Sequence, residues 1–291
     1  MRHLLRWLRH GLQGRSQWRR NRAAQFWRCT RWIQPHGKSK SGCIWQPLWH
    51  NCVRWRAGYG TIFKVDGTTG AETILHSFVG GADGANPNAG LVADAAGNFY
   101  GTTRYGGEGC NRRGCGTVFE LSATGLETVL YRFGDVPDGA SPLGGVALDS
   151  SGTIYGTTWL GGTYSLGTVF TLDSSGNEKV LHNFAGGSDG ANPLAAPVLD
   201  QARNLYGATS AAGTFYFGTL YMIDTTGKES VLYSFSGGTD GAYPYAHLLV
   251  DATGNLFGTA SQGGCCGQGS IFEFSHGVLT ALGIYILGSH V

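Results

Sequence analysis

Four loops of this 291-residue chain carry an aspartate in one setting. Asp83, Asp138, Asp189 and Asp240 each open an Asp-Gly-Ala-x-Pro segment. A carboxylate repeated in this way could serve calcium, but calcium takes about six to eight oxygens and no second acid lies in the loop. An Asx-turn closed by the Asp side chain, with Pro87, Pro142, Pro193 and Pro244 fixing the exit, accounts for every residue and is the expectation. A second column holds His76, Tyr131, His182 and Tyr233. The two histidines stand two repeats apart on the strand expected to be outermost, so they are read as half-exposed amphipathic positions and not as ligands to one ion. Tyr243, Tyr245 and His247 set aromatic and polar groups where the other repeats have small residues, which makes them the candidate ligand-binding cluster. Cys110 and Cys115 give a Cys-x4-Cys spacing with no second pair, which is poor for zinc. Cys265-Cys266 occupy the equivalent loop of the last repeat. No nucleophile elbow, phosphate loop or paired-carboxylate motif is present. No catalytic residue, metal site or cofactor is assigned.

These columns exist because the chain repeats. Gly60-Thr-Ile-Phe63, Gly116-Thr-Val-Phe119, Gly167-Thr-Val-Phe170, Gly218-Thr-Leu-Tyr221 and Gly269-Ser-Ile-Phe272 mark successive units, the last four spaced 51 residues apart. The first unit is 56 residues long, its five extra residues lying around Glu108 to Cys115. Within a unit, apolar runs of four to seven residues rich in Val, Ile, Phe, Tyr and Thr alternate with Gly, Asp and Asn, the pattern of strands and tight turns. Ala96-Gly97-Asn98, Ser151-Gly152-Thr153 and Thr253-Gly254-Asn255 place glycine where a hairpin needs positive φ. Ala202-Arg203-Asn204 departs from this, so Asn204 is expected to take that conformation.

The spacing therefore predicts an all-β fold of tandem four-stranded antiparallel blades, a partial β-propeller. The blades span about 91–133, 146–184, 198–235 and 248–282, preceded by a half blade at 60–78 with a bare edge; residues 283–291 form an apolar tail. A β-solenoid-like array is the alternative, although solenoid coils are usually shorter. Ala89-Gly90, Gly144-Gly145 and Ala195-Ala196 suit inner strands crowding an axis. No apolar run reaches the roughly 18 residues of a membrane-spanning helix.

The net charge of +2 conceals two unlike parts. Residues 1–56 carry 13 of the 21 basic residues, none of the 19 acidic ones and seven of the eight tryptophans. Read literally, they could be a basic arm for nucleic acid or membranes. Read one base out of frame, they are the repeat. Gln46-Pro-Leu-Trp-His-Asn51 then permits Asn-Leu-Tyr-Gly-Thr-Thr, and Arg9-His-Gly-Leu12 permits Gly-Thr-Val-Phe. Asn21 to Trp27 permits Thr-Val-Leu-His-Ser-Phe-Gly, and Arg31 to Pro35 permits Asp-Gly-Tyr-Asn-Pro. All four align without a gap at one offset of 107, Arg9 to Gly116 and Trp49 to Gly156 included. The tryptophan codon shifted by one base always reads glycine, and all seven tryptophans from Trp7 to Trp55 land on glycine columns. Residues 1–57 are accordingly expected to be a non-native basic segment that does not fold with the rest.

Gly167-Thr-Val-Phe170, Glu178-Lys-Val-Leu181, Gly186-Gly-Ser-Asp-Gly-Ala-Asn-Pro193 and Leu205-Tyr-Gly-Ala-Thr209 resemble the choice-of-anchor GloVer tandem-repeat family over residues 58–282. The resemblance implies a secreted or surface-displayed bacterial protein, often tethered by a C-terminal sorting signal, which the apolar residues 283–291 do not match. It implies no catalytic residue. In that oxidising setting, Cys110 and Cys115 are expected to form a short local disulfide. The function expected is a non-enzymatic extracellular binding or scaffold module for an unknown protein or carbohydrate, with no nucleic-acid partner. The alternatives are a propeller enzyme acting at its central mouth and a basic-arm binder of nucleic acid or membranes. An enzyme should gather acids, histidines or arginines near the axis, where this chain has Ala, Gly, Leu and Pro.

Overall fold

Each repeat becomes a small antiparallel sheet because its β-branched and aromatic runs are short and its turns are chemically specified. The structure, a computed structural model, describes residues 58–282 except Glu108, Asn111, Arg112 and Cys266, together with the backbone strands Arg31–Ile33, Ser39–Ser41 and Trp49–Cys52. The apolar tail and most of the basic segment lie outside the described residues.

Four four-stranded antiparallel ladders follow one another. The second sheet runs Val92–Ala93, Phe99–Thr103, Thr117–Leu121, Glu127–Arg132, and the third Val146–Leu148, Ile154–Thr158, Thr168–Leu172, Glu178–Asn183. The fourth runs Val198–Leu199, Leu205–Ala211, Thr219–Ile223, Glu229–Ser234, with Ala191–Pro193 also paired to Leu205–Ala211. The fifth runs Leu249–Val250, Leu256–Ala260, Ser270–Ser275, Val278–Leu282. The only helical turns among the described residues are the short 3-10 segments Gly81–Asp83 and Gly187–Asp189. No helix of the described residues is long and apolar enough to cross a membrane.

Register explains the most regular feature of the repeat. Gly101, Gly156, Gly207 and Gly258 lie opposite Phe119, Phe170, Tyr221 and Phe272 on the neighbouring strand. The ring lies over the glycine in each case, and a Cβ there would overlap it. Two residues on, buried hydroxyls pair across the strands at 2.8 Å: Thr103 with Thr117, Thr158 with Thr168, and Thr209 with Thr219.

Sheets stack through one recurring contact. Ile62 packs toward Phe119 and Leu121, Val118 toward Phe170 and Leu172, Val169 toward Tyr221 and Ile223, and Leu220 toward Phe272 and Phe274. Edge-to-face ring pairs run along the same seams, Phe78–Phe119 at 5.3 Å and Phe133–Phe170 at 5.1 Å among them. Such pairs contribute roughly 0.5–1.5 kcal/mol beyond the area they bury. Ile62, Val118, Val169 and Leu220 are 0% exposed, but Ile271, their counterpart in the fifth sheet, is 42% exposed. Among the described residues the arc is open at that face. At the axis, Gly145 is so close to the preceding repeat that a Cβ would come within 2.9 Å of the Gly90 carbonyl.

Two expectations need correction. The edge of Thr61–Val65 is not bare: Trp49–Cys52 pairs with it, so the first sheet has three strands. An edge strand offers backbone donors and acceptors to any extended segment, whatever its side chains. The pairing sets Trp49 opposite Lys64 and His50 opposite Phe63. In the repeat register, the glycine position, which Trp49 fills, would face Phe63; the strand is one residue out. The second correction concerns Asn204: Arg203 takes the left-handed conformation, with φ 68. Asp200 fixes the turn by accepting the Asn204 amide, which puts the positive-φ position one residue earlier. Arg203 is held there by an ion pair to Asp149 of the preceding repeat.

Candidate functional site

The antiparallel order decides which loops gather. The second strand of each sheet ends where the third begins, and the fourth ends beside them. Loops 104–116, 159–167, 210–218 and 261–269 therefore share one end with the Asp-Gly-Ala-x-Pro loops. All five exposed Phe and Tyr residues among the described residues lie there: Tyr59, Tyr164, Phe215, Tyr216 and Tyr245. Most turns at the opposite end are polar and Asp-centred, such as that of Asp94, which accepts the amides of Ala96 and Asn98, and the large apolar side chains exposed there are aliphatic, Leu126 and Val278.

Tyr243 and Tyr245 are at the aromatic end, their rings 6.2 Å apart, and Tyr243 also meets Phe217 at 5.6 Å. Tyr243 has φ 56, the conformation that Asn86, Ser141 and Asn192 adopt at the same loop position. That conformation suits Asn better than Tyr. Tyr245 and His247 are exposed. Desolvation by nearby atoms lowers the His247 pKa, opposed by the Leu248 backbone. Nearby on this end, the Arg104 guanidinium lies between the rings of Tyr105 and Trp159, 4.9 and 5.4 Å from their centroids. Cys110 and Cys115 are joined by a disulfide with Cα atoms 5.3 Å apart, bracing the longest of these loops.

The four loop aspartates close their loops backwards, not forwards as an Asx-turn does. Asp83, Asp138, Asp189 and Asp240 each accept, through Oδ2, the amide four residues earlier, from Val79, Gly134, Ala185 and Ser236, at 2.6 Å. The column of histidines and tyrosines braces the same carboxylates from seven residues upstream. Tyr131 and Tyr233 each donate to Oδ2 of Asp138 and Asp240 at 3.0 Å. His76 and His182 hold Nε2 3.1 and 3.0 Å from Oδ1 of Asp83 and Asp189. Desolvation, and then the neighbouring aspartate, push the Tyr131 hydroxyl pKa up.

A third side chain reaches three of the four clusters from the next sheet. Glu127 joins His76 and Asp83, and Glu229 joins His182 and Asp189, with the ligand atoms of each trio all within 4.8 Å. Glu178 stands likewise near Asp138, whose charge acts on it. Burial, followed by the neighbouring aspartate, pushes the Glu127 and Glu178 pKa values up to about 7. Glu229 is raised too, by burial first and by Asp189, against a lowering from His182. The sequence carried the signal: Glu72, Glu127, Glu178 and Glu229 open the outer strand of every repeat but the last. What reading one loop at a time misses is that the second acid comes from the neighbouring repeat. The two histidines belong to separate clusters.

The Gloeobacter/Verrucomicrobia repeat model matches residues 55–202 and 176–285. The chain belongs to the Gloeobacter/Verrucomicrobia repeat family. No curated protein matches it in sequence. Among solved structures, this repeat protein is similar to a chain of the nidogen/laminin complex, with 13% identity, TM-score 0.55, and 88% of this chain and 90% of that one covered. It is also similar to a protein of unknown function from Bacteroides thetaiotaomicron, with 14% identity, TM-score 0.50, and 81% and 55% covered. At such identities the likeness shows the fold alone, that of a β-propeller. In this Gloeobacter/Verrucomicrobia repeat protein, the seam clusters can carry protons or cations, and the aromatic end can stack on flat or apolar surfaces.

Proposed function

We propose that this protein is a non-enzymatic extracellular binding scaffold that holds a protein or carbohydrate against its aromatic end. The observation that carries the reading is the asymmetry of the two ends: every exposed Phe and Tyr of the described residues is on one of them. Aromatic faces give contact area at low entropic cost, and stack on sugar rings as readily as on peptide. In the axis column of Gly90, Gly145 and Ala196, His247 of the last repeat is the one titratable side chain, and a lone imidazole without an acid or second base beside it in that column supports binding over chemistry. Repeated sheets with variable loops are suited to display.

The test is a glycan array and a panel of purified cell-surface proteins, probed with the full chain and two variants. Tyr164→Ala/Tyr216→Ala/Tyr245→Ala is expected to lose at least tenfold in affinity for whatever ligand is found. Leu126→Ala, at the polar end, is expected to bind unchanged. Binding that survives the triple substitution, or that is lost in Leu126→Ala, would overturn the reading.

A further inference from the structure

Glu127 and Glu229 each turn Oε1 into a seam between sheets, where that atom is buried and receives no hydrogen bond. An ionised carboxylate oxygen left so is costly, and something must compensate it. Each faces the same two groups of the preceding repeat, an imidazole Nε2 and an aspartate Oδ1. We propose that His76–Asp83–Glu127 and His182–Asp189–Glu229 are two equivalent divalent-metal sites of the zinc class.

The donor set favours that class. One imidazole nitrogen and two carboxylate oxygens suit zinc or its transition-metal neighbours, whereas calcium wants oxygen alone and more of it. The separations are compatible with it, the three ligand atoms of each trio lying within 4.8 Å of one another. Nε2 and Oδ1 stand 3.1 and 3.0 Å apart, and a tetrahedral zinc with bonds of about 2.05 Å needs about 3.3 Å between ligands. Both aspartates are anchored by a backbone amide on the oxygen that the metal would not use, and such outer partners aim ligands. The histidine rings pack edge-on against Phe78 and Phe184, at 4.7 and 4.8 Å. A dication would balance the two carboxylates and join one sheet to the next. Zinc would take the place of the hydrogen bond between Nε2 and Oδ1, and the neutral imidazole that binds it would carry its hydrogen on Nδ1.

The repeat supplies its own control. Glu178 also has a buried, unpartnered Oε1, but its cluster has Tyr131 in place of histidine. There a neutral phenol stands in place of the imidazole and leaves only the two carboxylates as ligands. The fourth loop has Tyr233 with Asp240, and the facing strand Val278–Leu282 contains no acid.

The experiment is equilibrium dialysis of the tag-free, chelator-treated full chain against zinc chloride at pH 7.5, counting bound equivalents. His76→Tyr and His182→Tyr should each remove one equivalent, and the double variant two. Both are expected to fold, because the repeat already accepts Tyr at that position, and circular dichroism checks it. Tyr131→His should add one equivalent, and Glu178→Gln should change nothing. Chelator should lower the melting midpoint of the parent chain but not that of the double variant. An unchanged zinc count in the double variant, including one arising from histidines and cysteines elsewhere, would overturn the proposal. So would displacement of the zinc by millimolar calcium. Glu127→Gln/Glu229→Gln, which removes a ligand without touching histidine, must give the same loss of two.

Discussion

Gly101→Ala tests the claim that a ring lying over glycine shapes every blade. Gly101 does not have positive φ, so the change brings no backbone strain. A Cβ there would lie 2.6 Å from Leu91 Cδ2 and 2.7 Å from Phe119 Cζ. Carbon contacts settle near about 3.5–4.0 Å, so one or both side chains must retreat by about 1 Å. Phe119 has little room: it is 0% exposed and meets Phe78 edge-on at 5.3 Å. Overpacking of this kind costs about 1–3 kcal/mol, and the lower unfolded-state entropy of Ala returns about 0.5–1. The net loss is therefore centred near about 1.3 kcal/mol with an upper end of about 2.5, or roughly 3–5 °C in melting midpoint at the centre for a fold of this size. The assay is thermal and urea unfolding of four proteins: parent, Gly101→Ala, Phe119→Leu and the double variant. Leucine is shorter than phenylalanine, so it should absorb much of the new methyl, and the double variant should be more stable than the sum of the singles predicts. The reasoning fails if Gly101→Ala is neutral. It fails equally if the two changes add to within about 0.5 kcal/mol, the limit expected of independent sites.

Tyr221 has its ring in the same place but buries a hydroxyl that has no partner, where the other repeats have Phe119, Phe170 and Phe272. Tyr221→Phe should therefore stabilise the fold by about 1 kcal/mol, read as a rise in the urea midpoint; a fall would count against the account. Glu127 and Glu178, with folded pKa values pushed up to about 7, keep protons that the unfolded chain releases above about 4.3. In metal-free protein their contribution is present at acid pH and lost as pH rises through about 7, so the midpoint should fall from pH 5 to pH 8. Glu127→Gln/Glu178→Gln should flatten that slope, and an unaltered slope refutes the assignment. The codons of residues 1–56, read one base on, should spell repeat sequence with glycine at Trp49. Protein made in that frame should be more soluble and should resist protease over this stretch; equal behaviour of the literal chain rejects the frame-shift reading.

The blades are legible because Gly-Thr-Val-Phe recurs at a fixed interval and every strand is bounded by residues with only one use there. The partners across the seams are not. Nothing in one repeat tells where its outer strand meets the next, so Glu127 reads as a strand residue and Asp83 as a lone turn acid. The loop aspartates show their role in the sequence but not their direction, because a carboxylate can close a tight loop toward either flanking amide. Residue preference points to Asn204 over Arg203, since Asn tolerates positive φ more easily, yet the turn, set by Asp200, leaves the choice to position and not to preference. The bare edge expected at Thr61–Val65 fails for a more general reason. Backbone pairing is indifferent to side chains, so a segment with no repeat glycine still adds a strand there, one residue out of step.

The recurring contact between sheets has a genetic consequence. Val118, Val169 and Leu220 each present much the same shape to much the same pair on the sheet that follows. Recombination between two repeats of the gene, which removes or doubles one whole unit, therefore creates no new kind of interface. The blades brought together meet across a junction already used elsewhere in the molecule. Point changes in these seams are constrained on both sides, while changes in copy number are constrained only by how far the arc must bend. A gene built this way can vary its length more cheaply than its core.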